Sequence, residues 1–172
     1  ATRDLTAATR QAREDLIATL FPSKTSDQRV QVAYFSDFYC PYCRVLSGQA
    51  MEIAADTDID VSWHETPIFG PASELAARGA IAAGRQGAYE TYHRRLNRTP
   101  VQVTIPFLQN LAEGLSLNVD QFTQDMSAAE TQRDLDRAAA LASIFRFIGT
   151  PAMVVGRSVV QGKISETNLR QL

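Results

Sequence analysis

The sequence predicts an α/β fold in which a β-α-β unit is followed by an all-helical stretch and then by β-β-α. Three observations predict it. Residues 30–35, Val-Gln-Val-Ala-Tyr-Phe, are β-branched and aromatic, as strands are. A second run, Ile59–Glu65, alternates Ile59, Val61 and Trp63 with polar neighbours one helix-length later. Between residues 72 and 147 the signals are helical, and strand chemistry returns only at Ala152–Val155.

In chain order, residues 1–20 read as an amphipathic helix with Leu5, Ala8, Ala12, Leu16 and Leu20 at helical spacing. Turn and linker residues interrupt it at 21–27. The near-continuous apolar character of 30–35 marks a central strand covered on both faces. After residues 40–43 a helix runs to about residue 55, carrying Val45, Leu46, Ala50, Ile53 and Ala54. Strand, helix, strand implies a right-handed crossover joining a parallel pair. Within 72–147, successive N-caps are Thr104 before Ile105-Pro106, Asn118 with Gln121, and Ser127 with Glu130. Leu135, Ala138, Ala142 and Phe145 give the last of these helices its apolar stripe. Gly156-Arg157-Ser158 turns a hairpin toward Val159-Val160-Gln161, and Ser165 caps a short closing helix to residue 172. Three parts are expected: an N-terminal helix and linker (1–27), an α/β unit (28–71 with 148–172) and a helical subdomain inserted into it (72–147).

Composition removes several functions. The 172 residues are 45% hydrophobic and 21% charged, enough apolar side chains for a packed core. Seventeen Lys and Arg against nineteen Asp and Glu leave a net charge of -2, which argues against a nucleic-acid partner. No apolar run approaches the roughly 18 residues of a membrane span. The chain opens at Ala1 without a charged or apolar leader, an opening that suggests processing. Two cysteines, three positions apart, exclude a framework of disulfides between distant segments, and no Cys/His set has zinc-site spacing.

Those cysteines carry the chemistry. In Cys40-Pro41-Tyr42-Cys43, which sits where the first strand gives way to a helix, Cys40 fits the N-cap and Pro41 the first helical position, where its missing N–H is not needed. The amides of Tyr42 and Cys43 belong to the unpaired donors of the first turn and can point at the Cys40 sulfur. Cys43 falls on the same helical face, close enough to close a disulfide. A helix mouth contributes about 0.3–1 kcal/mol, or up to about 2 when partly buried. Each amide hydrogen bond to a charged sulfur adds roughly 1.5–3 kcal/mol. Direct amide contacts, more than the helix dipole, therefore set how well a Cys40 thiolate is stabilised, and a stabilised thiolate makes the disulfide a better oxidant.

Residues 34–44, Tyr-Phe-Ser-Asp-Phe-Tyr-Cys-Pro-Tyr-Cys-Arg, together with Thr66-Pro67-Ile68-Phe69-Gly70-Pro71 and Gly149-Thr150-Pro151-Ala152, resemble the DsbA family of thiol:disulfide oxidoreductases over residues 28–172. The resemblance implies a thioredoxin fold with a helical insertion and an N-terminal helical extension. It implies export to the periplasm or another extracytoplasmic space, and disulfide exchange with unfolded or partly folded polypeptides. It also implies a redox-recycling partner, expected to be membrane-bound. No cofactor or metal is expected beyond the redox-active pair itself. By position, Cys40 is an exposed nucleophile, Cys43 the buried resolving thiol, and Pro151 a cis-proline facing them. Pro41 and Tyr42 shape the turn, Thr150 offers a backbone edge to an extended substrate, and Tyr39 joins Phe38 and Phe69 as candidates for an apolar rim, with core packing as the default for the two phenylalanines.

The chain departs from the family at two positions. Tyr42 stands where the best-known members have His, so the potential is expected between thioredoxin's and DsbA's, about -270 to -120 mV. Tyr34 stands where many members have a buried, proton-handling Glu. Asp37 is the nearest acid and reads as a strand-end turn residue, with proton handling as its other role. His64 and Glu65 read as a solvated strand end that could assist proton transfer. His93 reads as exposed, and Arg44 as solvated or electrostatic. The N-terminal helix either packs on its own domain, hangs free, or assembles several copies into an isomerase. A cytosolic glutaredoxin-like reductase and a Cu(I)-handling protein are more distant readings.

Overall fold

The computed structural model describes residues 2–22, 29–56, 59–99, 102–156 and 158–162. Four strands, β1 (Val30–Ser36), β2 (Ile59–Glu65), β3 (Ala152–Val155) and β4 (Ser158–Gln161), form one mixed sheet in the order β2-β1-β3-β4. β1 pairs parallel with β2 and antiparallel with β3, and β3 pairs antiparallel with β4. The helices are α1 (Thr2–Ala18), α2 (Pro41–Asp56), α3 (Pro71–Arg85), α4 (Tyr89–Asn97), α5 (Ile105–Glu113), α6 (Val119–Ser127) and α7 (Ala129–Ile144). α2 links the parallel pair, and α3–α7 stand between β2 and β3 in the chain. This is the thioredoxin fold with inserted helices.

The central strand reads as continuously apolar because both of its faces are covered. Side chains alternate across a strand. Val32 and Tyr34 pack with Leu46, Ala50, Met153 and Val155 on one face. Ala33 and Phe35 pack with Leu20, Leu141, Ala152 and Val154 on the other. A third cluster lies within the helices around Tyr92, Leu96, Leu108 and Phe122, and takes in Phe38. Gly79 lets α3 approach this cluster, since a Cβ there would meet the Tyr92 hydroxyl at 2.9 Å.

Two of the three anticipated caps form. Thr104 accepts the Phe107 N–H at 3.3 Å, and Asn118 accepts that of Gln121 at 2.9 Å. The third does not. Ala128 occupies the N-cap of α7, while the Ser127 hydroxyl donates back to the Thr123 and Gln124 carbonyls of its own helix. A hydroxyl that can reach a carbonyl one turn back need not cap the next helix. The closing helix expected after Ser165 lies outside the described residues.

The C-terminal end of α1 settles on its own domain. Leu16 and Phe21 pack against the Phe35 face, and Leu20 is buried there. His64, expected in solvent, is buried instead, stacked on Phe35, and its Nε2 lies 2.8 Å from the Leu20 carbonyl, so the ring donates. Burial lowers its pKa, Arg137 adds to the lowering, and the Leu20 hydrogen bond opposes it. Because folding holds this imidazole neutral, its contribution is complete above the ordinary value of about 6.5. As pH falls from there through the lowered folded value, the unfolded chain binds the extra proton and stability is lost. Denaturant unfolding of wild type and His64→Gln should therefore show an acid-side decline between pH 7 and 5 that is shallower in the variant.

Candidate active site

β1 delivers its last residues into a turn that α2 continues. Asp37 closes this turn. Its carbonyl accepts the Cys40 N–H at 3.1 Å, and its Oδ1 accepts the Tyr39 N–H at 2.7 Å. Its Oδ2 accepts the N–H groups of Ile68 and Phe69 at 2.6 and 3.2 Å. One side chain, 1% exposed, thus ties the cysteine turn to the loop after β2. Of the two roles weighed for Asp37, the turn role is the one its contacts occupy.

Cys40 precedes α2, and Pro41 is the first residue of that helix. The Cys43 amide donates to the Cys40 sulfur at 3.3 Å, so a first-turn N–H does point at the sulfur. Both thiols are free. The Cys40 S–H donates to the Thr150 carbonyl at 3.2 Å, which joins two residues 110 positions apart in the chain. The Thr150–Pro151 peptide bond is cis, and Pro151 is fully buried. The expectation of an exposed Cys40 is corrected: with its sulfur beneath the Thr150 carbonyl, the residue is 2% exposed, and Cys43 is 0% exposed. Burial, with the hydrogen bond shared with Cys40, pushes the Cys43 thiol up to about 12.

Around this pair, Tyr42 and Val45 on the first turns of α2, Ile68 and Phe69 in the Asp37-bound loop, and Ile148 before Thr150 are all exposed. Phe69 belongs to the surface and not to the core, because Asp37 holds its backbone while nothing encloses its ring. Phe38 does lie in the core. Tyr39 is half-buried and accepts the Val103 N–H at 3.1 Å.

Three more expectations are overturned. Arg44 is not simply solvated: its guanidinium donates to the Asn97 carbonyl at 2.7 and 3.0 Å and to the Thr99 carbonyl at 2.5 Å, neutralising the C-terminal end of α4. Glu65 is 4% exposed and His93 is 0% exposed. Both belong to a buried cluster that no sequence motif marks. The Tyr89 hydroxyl donates to Glu65 Oε1, and His93 Nδ1 lies 3.0 Å from the Tyr89 hydroxyl and 3.5 Å from Glu65 Oε1. Two signals were available. Glu65 continues the inward alternation of Ile59, Val61 and Trp63, and Tyr89 and His93 are four apart on the face of α4 that carries Tyr92 and Leu96.

Comparison with known proteins identifies the fold and the family. The family model for the DSBA-like thioredoxin domain matches residues 31–172. A thioredoxin-like oxidoreductase from Silicibacter pomeroyi superposes with a TM-score of 0.79 at 31% identity, covering 88% of this chain and 92% of that one. The thiol-disulfide exchange protein alpha-DsbA2 from Wolbachia pipientis gives a TM-score of 0.83 at 21% identity over 99% and 96%. A Na(+)/H(+) antiporter NhaA 3 from Salinispora tropica is 32% identical over 133 residues, which are 73% of this chain and 20% of the antiporter. The chain thus spans about a fifth of the curated relatives it matches. With a cysteine pair at a helix mouth in this fold, the chain belongs to the DSBA-like thioredoxin domain family.

Proposed function

We propose that the chain works in an extracytoplasmic compartment, exchanging disulfides with unfolded or partly folded polypeptides through Cys40 and Cys43. The observation that carries this reading is the double contact at one sulfur: a helix-mouth amide behind Cys40 Sγ and the Thr150 carbonyl in front of it. In the oxidising direction a substrate thiolate attacks Cys40 Sγ, the Cys40–Cys43 bond breaks, and Cys43 leaves. A second substrate thiol then attacks the mixed disulfide and releases Cys40, whose sulfur regains the amide contact as it takes on charge. In the reducing direction Cys40 attacks and Cys43 resolves.

Thr150 and Pro151 face the pair with a backbone edge, which suits an extended peptide. The exposed rings of Tyr42 and Phe69, with Ile68 and Ile148, give that peptide apolar contacts without demanding a sequence. Oxidised thiols persist outside the cytoplasm, and a membrane-bound redox partner would restore the disulfide after each cycle. Residues 72–147 act in this scheme as an inserted helical subdomain that backs the site. The test measures oxidation of reduced RNase and isomerisation of scrambled RNase, with a redox titration against glutathione. Turnover in at least one assay and a potential between about -270 and -120 mV are expected. Inactivity in both assays would remove the reading.

A further inference from the structure

The residues on either side of the cysteine pair both reach across to the helical insert and hold the same stretch of chain. Arg44, just after Cys43, donates to the Asn97 and Thr99 carbonyls. Tyr39, just before Cys40, accepts the Val103 N–H on its hydroxyl at 3.1 Å. The chain leaving α4 is thus fastened at two points beside the reactive turn. A cavity of about 370 Å³ lies there, within the size range of ligand pockets. Phe38 and Tyr39 line it from the cysteine turn, and Leu96 and Val103 from the insert. Ala72 lines it from the first turn of α3, three residues after the exposed Phe69.

The polar groups of this lining are already engaged. The Tyr39 hydroxyl takes an amide, and the Thr99 hydroxyl donates to the Arg95 carbonyl at 3.1 Å. Arg44 brings the only charge among the described lining residues, and that charge is turned onto the last carbonyls of α4, whose partial negative charge offsets it. Phe38, Leu96 and Val103 are buried apolar side chains. A charged group entering here would lose water without gaining a partner, whereas an apolar group gains by leaving water. Position decides which apolar group arrives. Consecutive Cα atoms are about 3.8 Å apart, so the wall that Tyr39 forms begins one residue from the sulfur that exchanges. A polypeptide joined to Cys40 by a disulfide carries its own neighbouring side chains to that distance.

We propose that this cavity is a subsite for one large apolar side chain, such as Leu or Phe, beside the client cysteine that exchanges with Cys40. The inference rests on the exchange proposed above and names a substrate preference for it. The side chain enters as the mixed disulfide forms. The client thiolate bonds to Cys40 Sγ, the Cys40–Cys43 bond breaks, and Cys43 leaves as a thiolate that takes a proton from water. Arg44 and Tyr39 keep the far wall in place while this happens. The exposed rim accepts any apolar stretch, and the cavity adds a choice of residue next to the reacting sulfur.

The experiment mixes oxidised protein with excess capped peptide carrying one cysteine, flanked by Leu, Phe, Ser or Glu on each side in turn. Acid-quenched mass spectrometry follows loss of the Cys40–Cys43 disulfide. Each rate constant is divided by that of the same peptide with oxidised glutathione, which removes differences in thiol reactivity. On one side of the cysteine, Leu and Phe should exceed Ser by roughly tenfold, the low end for discrimination by an apolar pocket, and Glu should not. Ala72→Leu, which fills the cavity, should bring the Leu-to-Ser ratio to within about twofold of one. Val103→Ala, which widens it, should raise Phe relative to Leu, and it decides the matter if Ala72→Leu does not fold. A wild-type ratio near one would overturn the inference, as would a wild-type ratio retained in folded Ala72→Leu. A preference for Glu would mean that the Arg44 charge is open to ligands and would overturn it too. Failure of every peptide to attack wild type would overturn the exchange activity itself, and the subsite with it.

Discussion

Cys40→Ser is expected to reduce RNase oxidation and isomerisation to the rate of free thiols in the same buffer, a total loss. The hydroxyl that replaces the sulfur can neither form a disulfide nor act as a nucleophile near pH 7. Cys43→Ser should behave differently. Cys40 would still attack or be attacked, because its amide and carbonyl contacts come from the Cys43 backbone and from Thr150, neither of which the substitution removes. The first exchange would proceed, closure would not, and a Cys40-linked mixed disulfide would accumulate. Non-reducing electrophoresis and intact mass read this directly. A Cys43→Ser protein that turns over reduced substrate like wild type would show that the pair does not act as a pair.

Asp37→Ala should be the most destabilising single change near the site. It strips the acceptor from three N–H groups, and hydrogen bonds to a charged group are worth about 1.5–3 kcal/mol each. Water can rescue part of this at the exposed Ile68–Phe69 loop, so a net loss of about 3–5 kcal/mol is expected. For a chain of this size that corresponds to a fall of roughly 10 °C in Tm. Asp37→Asn should fall between, since one amide oxygen replaces two carboxylate oxygens. Thermal denaturation followed by circular dichroism measures both. A loss below about 1 kcal/mol in Asp37→Ala would mean that the turn and the loop hold themselves together without the carboxylate.

Much of this architecture was legible in the residues because local rules and the fold agree there. The apolar 30–35 run, the Pro after Cys40, the caps at Thr104 and Asn118 and the alternation of Ile59–Glu65 each satisfy a local requirement that the structure then uses. The features the sequence concealed were decided by partners far along the chain. His93 sits beside two arginines and reads as solvated, yet Phe38 and Trp63 enclose its ring. Glu65 closes a strand and reads as its wet end, yet α4 folds over it with a phenol. Arg44 looks like one more helix-surface cation until the end of α4 arrives with its unpaired carbonyls. Phe69 erred in the opposite direction, because an aromatic ring is ordinarily covered and this one is held in the open by its backbone.

The link between Cys40 and Thr150 has a consequence for the order of events in a catalytic cycle. That carbonyl is occupied only while the sulfur across from it carries a hydrogen. Conversion to a disulfide removes the donor and frees the oxygen to accept from a visiting main chain. In the proposed exchange, oxidation state and grip are joined through a single atom: the disulfide form would offer a free acceptor to an extended peptide, and the dithiol form would withdraw it.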